Sequence, residues 1–295
     1  MLETGPIREI PNGMLQDWML RVLQRLGMFA ADAELVVLRT LEAAVHAPRW
    51  GWLYFAQQVH AVHTGDIDPR ARLLTVHETP HTAILDGSQG WGAVAVTRAM
   101  QHAQQKAQET GIGWVWVKHT TPAGAGTLYV TLAAQHGFWA GFSMSAGKAQ
   151  WPEDQPTFGH QVLTWGCAVD DTILLADSQS DTIPSPPLAW FSLLWTSVWL
   201  GSKLPWEKRK SSLTTAGADH CCVVLMPEKL GSHAWEERLS VLRQHMLGLG
   251  SEPAGLQYHP LENWRQLPHT FRLSAEEWQA LGEAGESCRI PLPSP

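Results

Sequence analysis

Up to about residue 66 the apolar positions recur at helical spacing. A helix is predicted over 14–26, entered through a Pro-Asn-Gly turn and closed by Gly27. A second spans 32–45 and puts Leu35, Leu38, Leu41 and Val45 on one face. A third starts near Trp50 and stops before Thr64-Gly65, completing an N-terminal helical layer. Strand patterns follow over 71–77 and 82–85. The helix predicted over 94–109 aligns Val96, Met100, Ala103 and Ala107 and stops at Gly111; so small and apolar a face suits a sheet. Beyond it come a strand over 114–118, a helix over 126–136, and strands over 138–144, 161–169 and 172–175. Asp170-Asp171 marks a hairpin turn between the last two, and Pro184 to Pro187 a linker. An unbroken apolar helix is expected over 188–200, a charged loop over 205–210, a strand over 220–226, helices over 234–246 and 274–283, and a loose tail from Arg289.

The run from Gly87 to Gly92 follows a strand and opens a helix, as phosphate-binding loops do. Its spacing is not G-x-G-x-x-G, and no acidic residue ends a second strand at the expected distance, so a tight turn that seats the helix is the better reading.

Composition narrows the picture. With 295 residues, 44% of them hydrophobic, the chain can bury one large or two modest cores. A net charge of −7 without blocks of like charge makes nucleic acid and anionic membranes poor partners. Only 17% of residues are charged, which suggests surface buried between subunits. Cys167, Cys221, Cys222 and Cys288 lack metal-ligand spacing and read as buried thiols in a reducing cytoplasm; no metal is expected. The opening residues show no signal peptide, and the greasiest run falls short of the roughly 20 residues that span a bilayer. It reads as a buried or interface helix. The 16 tryptophans are scattered from Trp18 to Trp278 without stacking-platform spacing and read mainly as core, with one or two lining a pocket.

Residues 84–145 read ILDGSQGWGAVAVTRAMQHAQQKAQETGIGWVWVKHTTPAGAGTLYVTLAAQHGFWAGFSMS. The strand ending in Asp-Gly, the glycine turn, the helix of form AM..A..KA...GIG and the loop after the next strand resemble the type-2 malate/L-lactate dehydrogenases, a group that includes ureidoglycolate dehydrogenases and ketimine reductases. The resemblance runs from about Leu15 to about Trp264. It implies an α/β fold with an N-terminal helical layer and a non-Rossmann, mixed or antiparallel sheet domain with packed helices. Residues 1–66, joined by 255–295, would form the first part and 67–254 the second. It also implies a homodimer that oxidises or reduces small 2-oxo, 2-hydroxy or imino acids with NAD or NADP.

The family's chemical motifs are altered. Pro122 stands where the N-H-F-G-type loop places a histidine, and proline has no proton to give. Counting back from Gly65, Gly51 aligns with the glycine of S-H-G, so Trp50 replaces the histidine, Arg49 the serine and Tyr54 a nearby arginine. Residues 158–162 replace G-T-N-P, 174–179 replace D-M-A-T-S, and 184–188 replace a Y-K-G cofactor segment.

Substitute proton donors are therefore sought among nearby histidines. His119 ends the strand over 114–118, His46 lies four residues before Trp50, and His160 occupies the threonine of G-T-N-P. Each also reads as an ordinary structural histidine. Arg49 and Lys118 are candidates for a substrate carboxylate, Tyr54 for a hydrogen bond into the pocket, and Trp50 for an aromatic lining. Gly124 and Gly126, whose N–H groups lead into a helix, together with Asp177 and Ser178, are candidates for the cofactor. Three readings stay open: a divergent reductase, a non-redox enzyme on a relined pocket, and a catalytically silent binding or assembly protein.

Overall fold

The computed structural model describes residues 7–146, 160–169, 172–178, 186–204, 217–231, 234–247, 256–260, 264 and 266–294. Three helices, α1 (Asn12–Arg25), α2 (Ala30–His46) and α3 (Trp52–His63), form the N-terminal layer. They share a core built on Leu15, Trp18, Met19, Phe55 and Val59. The C-terminal helix α8 (Ala275–Ser287) joins this core through Leu281 and Ala284. Its start is held by a reciprocal cap: the Ser274 hydroxyl accepts from Glu277 N–H, and the Glu277 carboxylate from Ser274 N–H.

The second core lies on an eight-stranded mixed sheet ordered β2-β3-β4-β8-β5-β6-β7-β9. Its strands are β2 (Leu74–Glu78), β3 (Thr82–Gly90), β4 (Ile112–Thr120), β5 (Trp139–Ala146), β6 (His160–Val169), β7 (Thr172–Asp177), β8 (Ala218–Leu225) and β9 (Leu256–Pro260). Among the described strands only β3 and β4 run parallel, joined by α4 (Gly92–Thr110). On β5, Phe142 packs on Tyr129 of α5 (Thr127–Ala134), while Ser143 bonds Ser192 of α6 (Pro186–Leu193). Neighbouring residues of a strand point to opposite faces, so α5 and α6 cover opposite sides of the sheet.

The small face read from the sequence of α4 has a structural purpose. Ala99, Met100, Ala103 and Ala107 are fully buried, and a Cβ on Gly113 of β4 would stand 1.8 Å from the Ala103 carbonyl oxygen. Only glycine admits so close an approach. The turn before α4 is equally tight, since a Cβ on Gly92 would lie 2.1 Å from the Thr121 carbonyl oxygen.

Several elements differ from expectation. The strand expected over 71–77 begins only at Leu74, and all five residues of β2 are exposed at the sheet edge. The strand expected over 82–85 runs on to Gly90. Two short strands, β1 (Arg8–Pro11) and β10 (Thr270–Leu273), pair across almost the whole chain and carry no local signal. The C-terminal segment divides: β9 joins the sheet, and residues from Thr270 join the helical layer. The tail is anchored, not loose: Trp18 Nε1 donates to the Ile290 carbonyl, and Ile290 and Leu292 pack on the N-terminal core. The apolar run starts as α6 and widens into a π turn over Leu194–Val198. It is only half-covered, for Trp190, Phe191, Leu194 and Trp199 are exposed. The Asp170-Asp171 turn, most of the Pro184–Pro187 linker and the charged loop lie outside the described residues. No helix among the described residues is long and apolar enough to cross a membrane.

Gly113→Ala is expected to lower stability by about 1–3 kcal/mol through overpacking, and Ser274→Ala by about 1 kcal/mol through loss of the cap. Urea unfolding measures both, and a G113A protein with the parent midpoint would show that α4 sits farther from the sheet.

Candidate functional site

Trp50 and Pro122, singled out from separate motifs, are linked in the fold through Tyr54. A short 3-10 turn, Pro48–Trp50, links α2 to α3 and turns the Trp50 indole inward until only 3% of the residue is exposed. Its ring stands edge-on to Tyr54, with centroids 4.8 Å apart. The Tyr54 hydroxyl donates to the Pro122 carbonyl at 2.6 Å, and the Tyr129 hydroxyl to the Ala123 carbonyl at 2.5 Å. Gly124 has φ +97°, and a Cβ there would stand 3.6 Å from the Trp50 Cβ. Burial, reinforced by Tyr129, pushes the Tyr54 phenol well above its ordinary value despite hydrogen bonds with Thr121 and Gln58. Tyr54 therefore keeps its proton and spends it on the loop. Position 50 is thus filled by a buried indole and braced by phenols. Arg49 is half-buried in the same turn.

His46 ends α2 beside this cluster. Its ring stacks on Trp264 at 4.0 Å, and His259 of β9 stands edge-on to both. Burial, the neighbouring His259 charge and, in the other direction, a hydrogen bond with the Trp264 backbone leave the His46 imidazole below its usual value. It is held neutral, wedged between helix and sheet edge.

His119 takes the opposite course. It sits near the end of β4 with φ +57°, its side chain 55% exposed, and its Nδ1 lies 2.9 Å from a carboxylate oxygen of Asp86, the last β3 residue before the strand pair shifts register. The other Asp86 oxygen accepts from Ser88 N–H at 2.8 Å. Ser88 and Gln89 are themselves left-handed, at φ +51° and +60°. Three non-glycine residues in this sparsely populated region thus flank one carboxylate, and each such conformation costs on the order of 1–3 kcal/mol. Burial raises the Asp86 carboxyl, but the hydrogen bonds from Ser88 and His119 and the charges of His119 and Lys118 outweigh it and hold the group below the usual carboxylate range. Asp86 stays ionised and orients the imidazole, leaving Nε2 to donate when the ring is protonated. Lys118 is paired with Asp86 in the strand register.

The four cofactor candidates separate into two pairs. Gly124 and Gly126 are buried, and among the described residues their N–H groups meet no acceptor. N–H groups at the start of a helix are the donors of this loop that could face an anionic group. The Cα side of Gly126 is closed, for a Cβ there would lie 2.3 Å from Thr164 Oγ1. Asp177 accepts from that same hydroxyl at 3.0 Å, and the Ser178 hydroxyl accepts from Leu163 N–H at 3.0 Å. These two hold the sheet together, in the neighbourhood of Gly126. His160 opens β6 opposite Ala146; its side chain lies outside the described residues.

Sequence reasoning missed Asp86, read only as part of the Asp-Gly that ends a strand, because its partner is 33 residues away. It also missed His220 of β8, which is fully buried with Nδ1 3.2 Å from Thr120 Oγ1. Its position within an apolar strand was the available signal. No group of three or more metal-ligating side chains occurs among the described residues.

Tyr54→Phe leaves the Pro122 carbonyl without its donor and is expected to cost about 1–3 kcal/mol in denaturant unfolding. For His46 the folded value is depressed, so its contribution is present above the unfolded imidazole value of about 6.5 and is lost as pH falls below it. Thermal melts between pH 7.5 and 5 should show this loss, and His46→Gln should reduce it; an unchanged pH slope would mean that His46 is not responsible.

Comparison with known proteins agrees with this architecture. A malate dehydrogenase of Pyrococcus abyssi is 32% identical over 164 residues, which cover 54% of this chain and 44% of that protein. The L-sulfolactate dehydrogenase of Methanocaldococcus jannaschii is 32% identical over 117 residues, covering 38% and 33%. The chain thus spans about half the length, or less, of the curated relatives it matches. The structure of malate dehydrogenase from Pyrococcus horikoshii superposes over 99% of this chain and 100% of that one, with a TM-score of 0.80 at 17% identity. A delta1-piperideine-2-carboxylate reductase from Pseudomonas syringae does so over 98% and 96%, with a TM-score of 0.69 at 14% identity. The α/β fold expected from the sequence is the fold of these dehydrogenases. The family profile for malate/L-lactate dehydrogenase matches residues 10–177, more than half of the chain, which therefore belongs to that family.

Proposed function

We propose that this chain is a divergent oxidoreductase of small 2-oxo, 2-hydroxy or imino acids in which proton handling has moved from the inherited loop position to His119. The Asp86–His119 pair carries this reading. It is an imidazole held at 2.9 Å by an ionised carboxylate, open to solvent, at the carboxyl end of the parallel strand pair and surrounded by strained backbone. Open α/β sheets bind ligands at such strand ends. A protonated His119 would give its Nε2 proton to the substrate oxygen or nitrogen, with Asp86 fixing the ring. Lys118 would face the substrate carboxylate. Gly124 and Gly126 would hold an anionic part of NADH or NADPH, which when bound supplies the hydride. Family membership supports the class of reaction, and the four free, buried cysteines support a reducing, cytoplasmic setting. The low share of charged residues supports a homodimer.

The buried Trp50 favours a second reading: a catalytically silent relative, or a non-redox enzyme, that keeps the scaffold for binding or assembly.

Titration with NADH and NADPH, followed by nicotinamide fluorescence and by turnover of a panel of 2-oxo and cyclic imino acids, separates the two. The oxidoreductase reading expects saturable cofactor binding and a His119→Ala loss of roughly 10²–10⁴-fold in kcat, the usual contribution of a general acid. Absence of binding at millimolar cofactor would leave the silent reading, and undiminished turnover in H119A would remove His119 as the donor.

A further inference from the structure

We infer that a groove between the N-terminus of α2, the flank of α4 and the segment 68–73 is a binding site for a small organic carboxylate with an apolar body. The inference does not depend on the redox reading. The groove has two compartments that share Asp32, Ala71, Leu73 and Arg98. The outer basin, about 360 Å³, adds Phe29, Ala31 and Arg72. That volume is in the range of small-molecule sites. The inner neck, about 20 Å³, reaches Gly87, Gly90 and Trp91 and has room for about one water.

The charges in the basin do not cancel. Asp32 is buried and forms a close ion pair with one terminal nitrogen of Arg98, whose side chain remains 42% exposed. Arg72 has no carboxylate partner among the described residues, and its guanidinium carbon lies 5.9 Å from the Phe29 ring centre. Asp68, the other acid of the groove, accepts from Arg70 N–H. Asp68 lines only the neck, so among the basin's own charges, Asp32, Arg72 and Arg98, one positive charge is left over; it is carried by a planar fork that suits a carboxylate, with the open edge of a second guanidinium beside it. Phe29 is 44% exposed and, with Ala31, Ala71 and Leu73, supplies an apolar wall next to that charge. A bare inorganic anion would leave this wall wet, and a neutral apolar molecule would leave Arg72 unanswered. A carboxylate bearing a ring or branched chain satisfies both.

Benzoate is the probe, with benzyl alcohol as its neutral match and inorganic phosphate as the bare anion, each titrated into the whole protein by calorimetry and ligand-observed NMR. Saturable benzoate binding is expected, with the alcohol and phosphate weaker by roughly tenfold or more, about one charge-assisted pair. Arg72→Ala should weaken benzoate by a similar factor, and Phe29→Ala several-fold. Both side chains are exposed, so both variants should keep the parent melting curve. No saturable benzoate binding, equal binding of benzyl alcohol, or unchanged affinity in R72A would each overturn the assignment.

Discussion

The close seating of α4 on β4 governs the geometry of this protein. The helix approaches the strand to a distance that only a glycine at 113 allows, and the turn into the helix is clamped against the Thr121 carbonyl at Gly92. With both ends of the crossover held, the parallel strands β3 and β4 run side by side up to a shift of register between Asp86 and Gly90. The left-handed backbone at Ser88, Gln89 and His119 lies at that shift. Asp86 offsets part of its cost by accepting from Ser88 and from His119. An oriented imidazole results near the sheet's end.

The polar groups around the inherited site show a consistent division. In the interior, Tyr54 and Tyr129 donate to loop carbonyls and are held far from ionisation by burial. Such groups give rigidity, because a buried carbonyl without its donor is costly. Two of the imidazoles around this site lie nearer the margin. His46 is kept neutral in an aromatic stack, and His119 stands in solvent beside an ionised acid. Filling the centre with Trp50 is compatible with proton chemistry only at that margin, which is why the proposed donor is His119 and not a residue of the packed loop.

The tryptophans illustrate how a fold assembles what a chain scatters. Trp114 and Trp116 stack on one sheet face at 5.1 Å, an arrangement two residues apart on a strand allows. Trp195 and Trp199 arrive from the π turn to extend the stack, and Phe191 joins it through Trp195. The Trp116 indole N–H donates to the Trp195 carbonyl and that of Trp114 to Cys221 sulfur, so the stack also ties the turn to the sheet.

By itself the sequence determined the helices of the N-terminal layer, the small face of α4, most strands, and the presence of an indole at position 50 and a proline at 122. These depend on periodicity, turn residues and side-chain identity within short windows, where local physics decides. It did not determine the pairing of β1 with β10, the place of β9 at the sheet edge, the anchoring of the tail by Trp18, or the bond between Asp86 and His119. Each joins residues far apart in the chain through contacts formed only once the layers have packed. Tertiary structure alone decided that Trp50 would be buried and that His119 would remain open, because burial belongs to the folded surface and not to any stretch of residues.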